Sequence, residues 1–192
     1  METLLTALFG AALALVLVTI RVRYFGFRGQ RISEFEGSTP VIDPRTHLSG
    51  PLTCEGLIYG PTGRVSSKFV ADFHAKWEGN KGIMDEFFQY EGGSTQTRQW
   101  RLSIGNDGTV IGEADDIVGR AEGRMIGSAL HLDYKIRLTE DAGGHVLDCT
   151  DWMYLGENGT IFNHSQFRKF GVKVAELIAT IRPKAEQEQQ AA

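Results

Sequence analysis

The sequence predicts an all-β fold: an antiparallel up-and-down barrel of about nine to ten strands, preceded by one N-terminal transmembrane helix. Three observations carry that expectation. Two long segments alternate apolar and polar residues with a period of two. Glycine-rich turns recur between segments of this kind. Leu4 to Ile20 is one apolar run without a charge.

The apolar run comes first. A helix rises about 1.5 Å per residue, so the run just reaches across a hydrocarbon core roughly 30 Å thick. Arg21, Arg23, Arg28 and Arg31 follow it. Long basic side chains of this kind mark where a helix meets water. The start carries Glu2 and no Lys or Arg, which departs from the basic start of a cleaved signal. No cysteine follows the run, so no lipid-modified terminus is expected. Residues 1–31 are therefore expected to form an uncleaved single-pass anchor with a basic juxtamembrane segment. The positive-inside rule keeps the basic side in the cytoplasm. This places the following domain on the cytoplasmic side of a bacterial inner membrane, with a periplasmic domain as the alternative.

Residues 32–182 have the length of one domain, enough for a core without disulfide staples. Residues 183–192 form a polar tail. The net charge of −4 argues against a partner recognised through a phosphate backbone, so no nucleic acid is expected. Glycine (23) far outnumbers proline (5) and clusters at Gly60-Pro61-Thr62-Gly63, Gly79-Asn80-Lys81-Gly82, Gly92-Gly93, Gly105-Asn106-Asp107-Gly108, Gly143-Gly144 and Gly156-Glu157-Asn158-Gly159. Such punctuation marks hairpin turns.

Between the turns lie the strands. Phe69, Ala71, Phe73, Ala75 and Trp77 alternate with Lys68, Val70, Asp72, His74 and Lys76. Leu130, Leu132, Tyr134, Ile136 and Leu138 alternate with His131, Asp133, Lys135 and Arg137. Each pattern buries one face and wets the other. Strands are expected from Leu52 to Ile181. The last segment, Val172 to Ile181, also fits a helix through Val174, Leu177, Ile178 and Ile181. Gly119, Ala121 and Gly123 are expected on one strand face, as a barrel corner or as room for a ligand.

Polar residues interrupt the buried faces. Glu86 shares a face with Met84, Phe88 and Tyr90; Arg98 with Trp100, Leu102 and Ile104; Asp151 with Cys149, Met153 and Leu155. Asn163 and Ser165 interleave with Ile161 and Phe167. Buried charges must be paired, so Arg98 is expected to meet Glu86 or Asp151. Such a group is either a structural ion pair or a polar floor that orients a ligand head. Asp85-Glu86 and Asp115-Asp116 are neighbours in predicted strands, so neither is a catalytic carboxylate pair by itself. Asp115-Asp116 is alternatively a turn or bulge, with Asp116 capping backbone donors.

Other chemistry finds no footing. His47, His74, His131, His145 and His164 are scattered without metal-ligand spacing, and no metal or cofactor is expected. Cys54 and Cys149 have no C-x-x-C partner and read as small buried hydrophobes, with one bond between them as the alternative if the domain faces an oxidising compartment. No G-x-S-x-G, phosphate-loop or dinucleotide fingerprint occurs.

A set of segments appears in order: Gly50-Pro51-Leu52, Trp77-Glu78-Gly79, Asp85-Glu86-Phe87, Arg98-Gln99-Trp100, Ala114-Asp115-Asp116-Ile117-Val118-Gly119-Arg120-Ala121-Glu122-Gly123, Asp151-Trp152-Met153-Tyr154 and Lys169-Phe170-Gly171-Val172. Together they resemble the uncharacterised bacterial domain-of-unknown-function family 3833. The resemblance implies a bacterial source, a lipocalin-like β fold, membrane-anchored or lipoprotein-like relatives, and an association with fatty-acid modification. It supplies no catalytic residues.

The resulting expectation is a membrane-tethered barrel that binds a lipid, a fatty acyl chain or another apolar small molecule. Phe69, Phe73, Trp77, Phe88, Trp100 and Tyr134 would line it, with Glu86, Arg98, Asp151 and Asn163 at the polar end. The alternatives are a lipid-modifying isomerase or hydrolase using the buried carboxylates, and a structural or assembly protein with a solid core.

Overall fold

The computed structural model describes residues 1–184. The polar tail lies, from residue 185 onward, outside the described residues. The chain divides into two compact units, Met1–Glu34 and Phe35–Ala192.

The first unit is dominated by α1 (Glu2–Tyr24). It is long and apolar enough to cross a membrane, a property it shares with signal sequences. Two of its three threonines donate their hydroxyl protons within the helix, Thr6 to the Glu2 carbonyl and Thr19 to the Leu15 carbonyl. Neither hydroxyl then requires water, as an apolar medium demands.

The second unit is a closed barrel. Its strands are β1 (Gly50–Tyr59), β2 (Val65–Glu78), β3 (Lys81–Tyr90), β4 (Thr95–Ile104), β5 (Thr109–Glu113), β6 (Ala121–Ile126), β7 (Ala129–Arg137), β8 (Val146–Leu155), β9 (Ile161–Lys169) and β10 (Val172–Pro183). Each pairs antiparallel with the next, and β10 closes on β1. Closure removes every sheet edge. The two alternating segments become β2 and β7, with Phe69, Ala71, Phe73, Ala75, Leu130, Leu132 and Ile136 buried inside. Val172–Ile181 is strand and not helix. It bonds to β1 on one side and β9 on the other, so the sheet takes both of its backbone edges.

Two local features follow from steric limits. A Cβ on Gly123 would overlap the carbonyl oxygen of His131 on β7, so this glycine lets β6 and β7 approach. That decides for a close backbone contact over space left for a ligand. Gly119 does not share the strand. It lies in the loop before β6 with a φ of +81°, where a side chain is disfavoured.

Alternating hairpins define two ends. The base carries the β2–β3, β4–β5, β6–β7 and β8–β9 turns; the rim carries the other five. Residues 35–49, which show no periodicity, close the base. Ile42 and Leu48 are 2% and 3% exposed, the Ile42 amide bonds to the Gly127 carbonyl at 2.8 Å, and the Trp77 indole N–H donates to the Leu48 carbonyl at 2.8 Å. Asp43 caps the short α2 (Pro44–His47) by accepting from the Arg45 amide at 2.9 Å. Phe35 lies over Trp152 and Tyr154, with ring centroids 5.9 and 5.6 Å apart. Trp152 points outward from β8 yet is only 1% exposed, because Phe35 and His131 cover it. His131, expected on a wet face, is half-buried against that indole.

Candidate functional site

The inward faces of β2, β3 and β4 carry an aromatic cluster. Phe88 packs 5.6 Å from both Phe69 and Phe73 and stacks on Tyr90 at 6.2 Å. Trp100 meets Tyr134 edge-on at 5.7 Å across the barrel from β4 to β7. Contacts of this kind add to simple burial. Trp77 stands apart from them, at the base against Leu48.

Arg98 lies among these rings, its guanidinium carbon 5.9 Å from the Phe88 centroid and 5.8 Å from that of Trp100. Its main partner is Asp116. The guanidinium donates from Nε to Oδ1 and Oδ2 at 3.1 and 2.9 Å, and from Nη2 to Oδ2 at 2.7 Å. Glu86 is a longer partner at 3.5 Å. This corrects the expected pairing in part: Glu86 touches Arg98, and Asp116 takes the place foreseen for Asp151.

The position of Asp116 has a topological cause. β5 is only five residues long, and the chain leaving it turns before β6 begins. Residues 116–118 complete the wall by pairing with β7: the Arg137 amide donates to the Asp116 carbonyl at 2.7 Å and the Val118 amide to the Lys135 carbonyl at 2.8 Å. Asp115 and Asp116 are thus in a turn and not in a strand. No hydrophobic period marks such a segment, which is why sequence reasoning missed Asp116 as the partner of Arg98.

Asp151 has its own network. Its Oδ1 accepts from Asn163 Nδ2 at 2.5 Å and from Ser165 Oγ at 2.7 Å, both from β9. Asn163 also donates to the Trp152 carbonyl at 3.1 Å. Glu86, Asp151, Asn163 and Ser165 are all buried, at 6%, 8%, 9% and 3% exposure.

Burial sets the electrostatics. It raises the Glu86 carboxyl to about 7; Arg98 pulls it down, while Asp116 and Asp151 push it further up. Burial also raises Asp151, opposed by hydrogen bonds from Ser165 and Asn163, by Arg98 and by Tyr134. Burial works against the charge of Arg98, yet Glu86 and Asp116 hold it firmly protonated. Cys54 and Cys149 are free, buried thiols whose ionisation burial suppresses.

Packing differs between the two ends. Toward the base, Leu52, Ala75, Met84, Ile104, Val110, Leu155, Ile161 and Ile181 are buried. Toward the rim, Ile58, Phe88, Tyr90, Tyr134, Phe167 and Leu177 point inward and still keep accessible surface. The rim half is therefore less completely buried than the base. Tyr90 shares the alternation of Glu86 and Phe88, so its place in this lining is available from sequence. A cleft of about 750 Å³ against β2–β4 reaches Phe73, Glu86, Gln96, Arg98 and Asp116. Its other walls are outward side chains, among them Asp72, His74 and Asp85. Among the described residues, no group of three or more His, Cys, Asp or Glu is placed to hold a metal.

The sequence profile of a family described as "Protein of unknown function (DUF3833)" matches residues 22–183. The chain belongs to this family. The match spans the whole barrel and ends at the last residue of β10. The crystal structure of Rv2717c from M. tuberculosis is similar to this DUF3833 barrel, with a TM-score of 0.53 and 14% sequence identity over 77% of this chain and 99% of that one. At that identity the likeness shows the fold alone. No curated protein matches the chain.

Proposed function

We propose that the barrel binds an apolar small molecule, such as a lipid or a fatty acyl chain, and that α1 tethers it to a bacterial inner membrane. One observation carries the binding reading: inward apolar side chains near the rim keep accessible surface above a buried polar cluster. An apolar lining with a few convergent polar groups is the usual form of a small-molecule site. Phe69, Phe73, Phe88, Trp100 and Tyr134 supply apolar contact, with Glu86, Arg98, Asp151 and Asn163 at the polar end. The length of α1 and the arginines that follow it support the tether with a cytoplasmic domain. A tether also raises the effective concentration of a membrane-borne ligand.

The test uses the full chain expressed in bacteria. It should remain in membranes washed with alkaline carbonate, and after detergent purification it should carry a stoichiometric lipid detectable by native mass spectrometry. Recovery in the wash would refute the tether. A lipid-free barrel that also takes up no added lipid would refute the binding reading.

The acid strength of Glu86 favours a second reading. A carboxyl at about 7 is suited to proton transfer near neutrality. On that reading the purified chain converts a membrane lipid, and Glu86→Gln abolishes the conversion while preserving the fold by circular dichroism. Absence of any product with the wild-type chain excludes it.

A further inference from the structure

The polar cluster constrains the head group of the guest; this inference rests on the binding reading above. Most donors of the cluster are engaged by the protein itself, although Nη1 and Nη2 of Arg98 each carry a second N–H. All three guanidinium nitrogens of Arg98 face Asp116 or Glu86. Asn163 and Ser165 both donate to one oxygen of Asp151. The Tyr90 hydroxyl donates to Gln96 Oε1 at 3.1 Å.

What remains is chiefly acceptor capacity. With Glu86 ionised, as at pH 8, Glu86, Asp116 and Asp151 bring six carboxylate oxygens, each with about two lone pairs, against one guanidinium. Charge points the same way. Asp116 holds Arg98 through both of its oxygens, so this cation is already compensated. A carboxylate head would lie beside Glu86 and Asp151, where Arg98 is the cation of the described cluster and is already paired, and like charges in a buried site repel strongly. A neutral donor meets no such penalty and finds open lone pairs.

We infer that the barrel selects guests whose polar end is a non-anionic hydrogen-bond donor, such as a primary alcohol, and discriminates against fatty-acid carboxylates. Rejection of this kind comes from repulsion built into the site as much as from attraction to the right head.

The test compares three probes of equal chain length at pH 8: decanol, decanoate and methyl decanoate. They are titrated into the full chain in lipid nanodiscs, and uptake by empty nanodiscs is subtracted to correct for partitioning. Decanol should bind at least tenfold more tightly than either of the others. Decanoate binding as tightly as decanol would overturn the head-group inference while leaving the apolar-guest reading intact. Methyl decanoate matching decanol would overturn the donor requirement in the same way. If none of the three binds more than empty nanodiscs do, both readings fall. Glu86→Gln removes one carboxylate and should narrow the decanol-to-decanoate ratio severalfold; an unchanged ratio would show that these carboxylates do not set the preference.

Discussion

Glu86 and Glu176 respond to pH in opposite directions. The folded chain raises Glu86 to about 7, from 4.5. The folded state therefore holds a proton that the unfolded state has released. The stability this confers is full below about pH 4.5 and is lost as pH rises through 7. Glu176 is held down to about 2: burial would raise it, but Lys173, His164 and Gln166 outweigh that effect. Its contribution is present above about pH 4.5 and lost as pH falls toward 2. Glu86→Gln should be more stable than the wild type at pH 8, by up to about 3 kcal/mol, and nearly equal to it at pH 4. Thermal melts of both proteins across pH 4–8 check this. Parallel melting curves for the two would show that Glu86 ionises as freely folded as unfolded.

At the scale of elements, the strands are legible in the sequence and the segment that closes the barrel is not. β2 and β7 announce themselves because each has one wet and one buried face, and a period of two follows directly. β10 is ambiguous because its apolar positions fit both periods; pairing on both sides resolves it. Residues 35–49 carry no period at all, since Ile42, Pro44 and Leu48 are buried by plugging the base and not by lying on a sheet. Parity fails for the same reason at Trp152, which points outward and is buried under Phe35. Phe35→Ala should uncover that indole. We expect a stability loss of about 2 kcal/mol and a Tm lower by roughly 5 °C. Tryptophan emission should shift to the red before unfolding begins. Emission identical to wild type would mean that Phe35 does not shield Trp152 in solution.

For the whole molecule, sequence patterns recover the architecture and most of the candidate lining, while the pairing inside the site comes from topology. Glu86, Arg98, Asp151 and Asn163 are recognisable as polar residues on buried faces. Which of them meet depends on where a turn between β5 and β6 delivers Asp116, and alternation along a strand holds no information about that. Trp77 illustrates the complementary limit: its face is right, but its height along the barrel puts it against Leu48 and away from the aromatic cluster. The plug of residues 35–49 has a kinetic consequence. A guest of a barrel sealed below would enter and leave by the rim or by the cleft against β2–β4, and not through the base. Narrowing such an opening would slow uptake and escape through it by the same factor and leave the equilibrium between bound and free untouched.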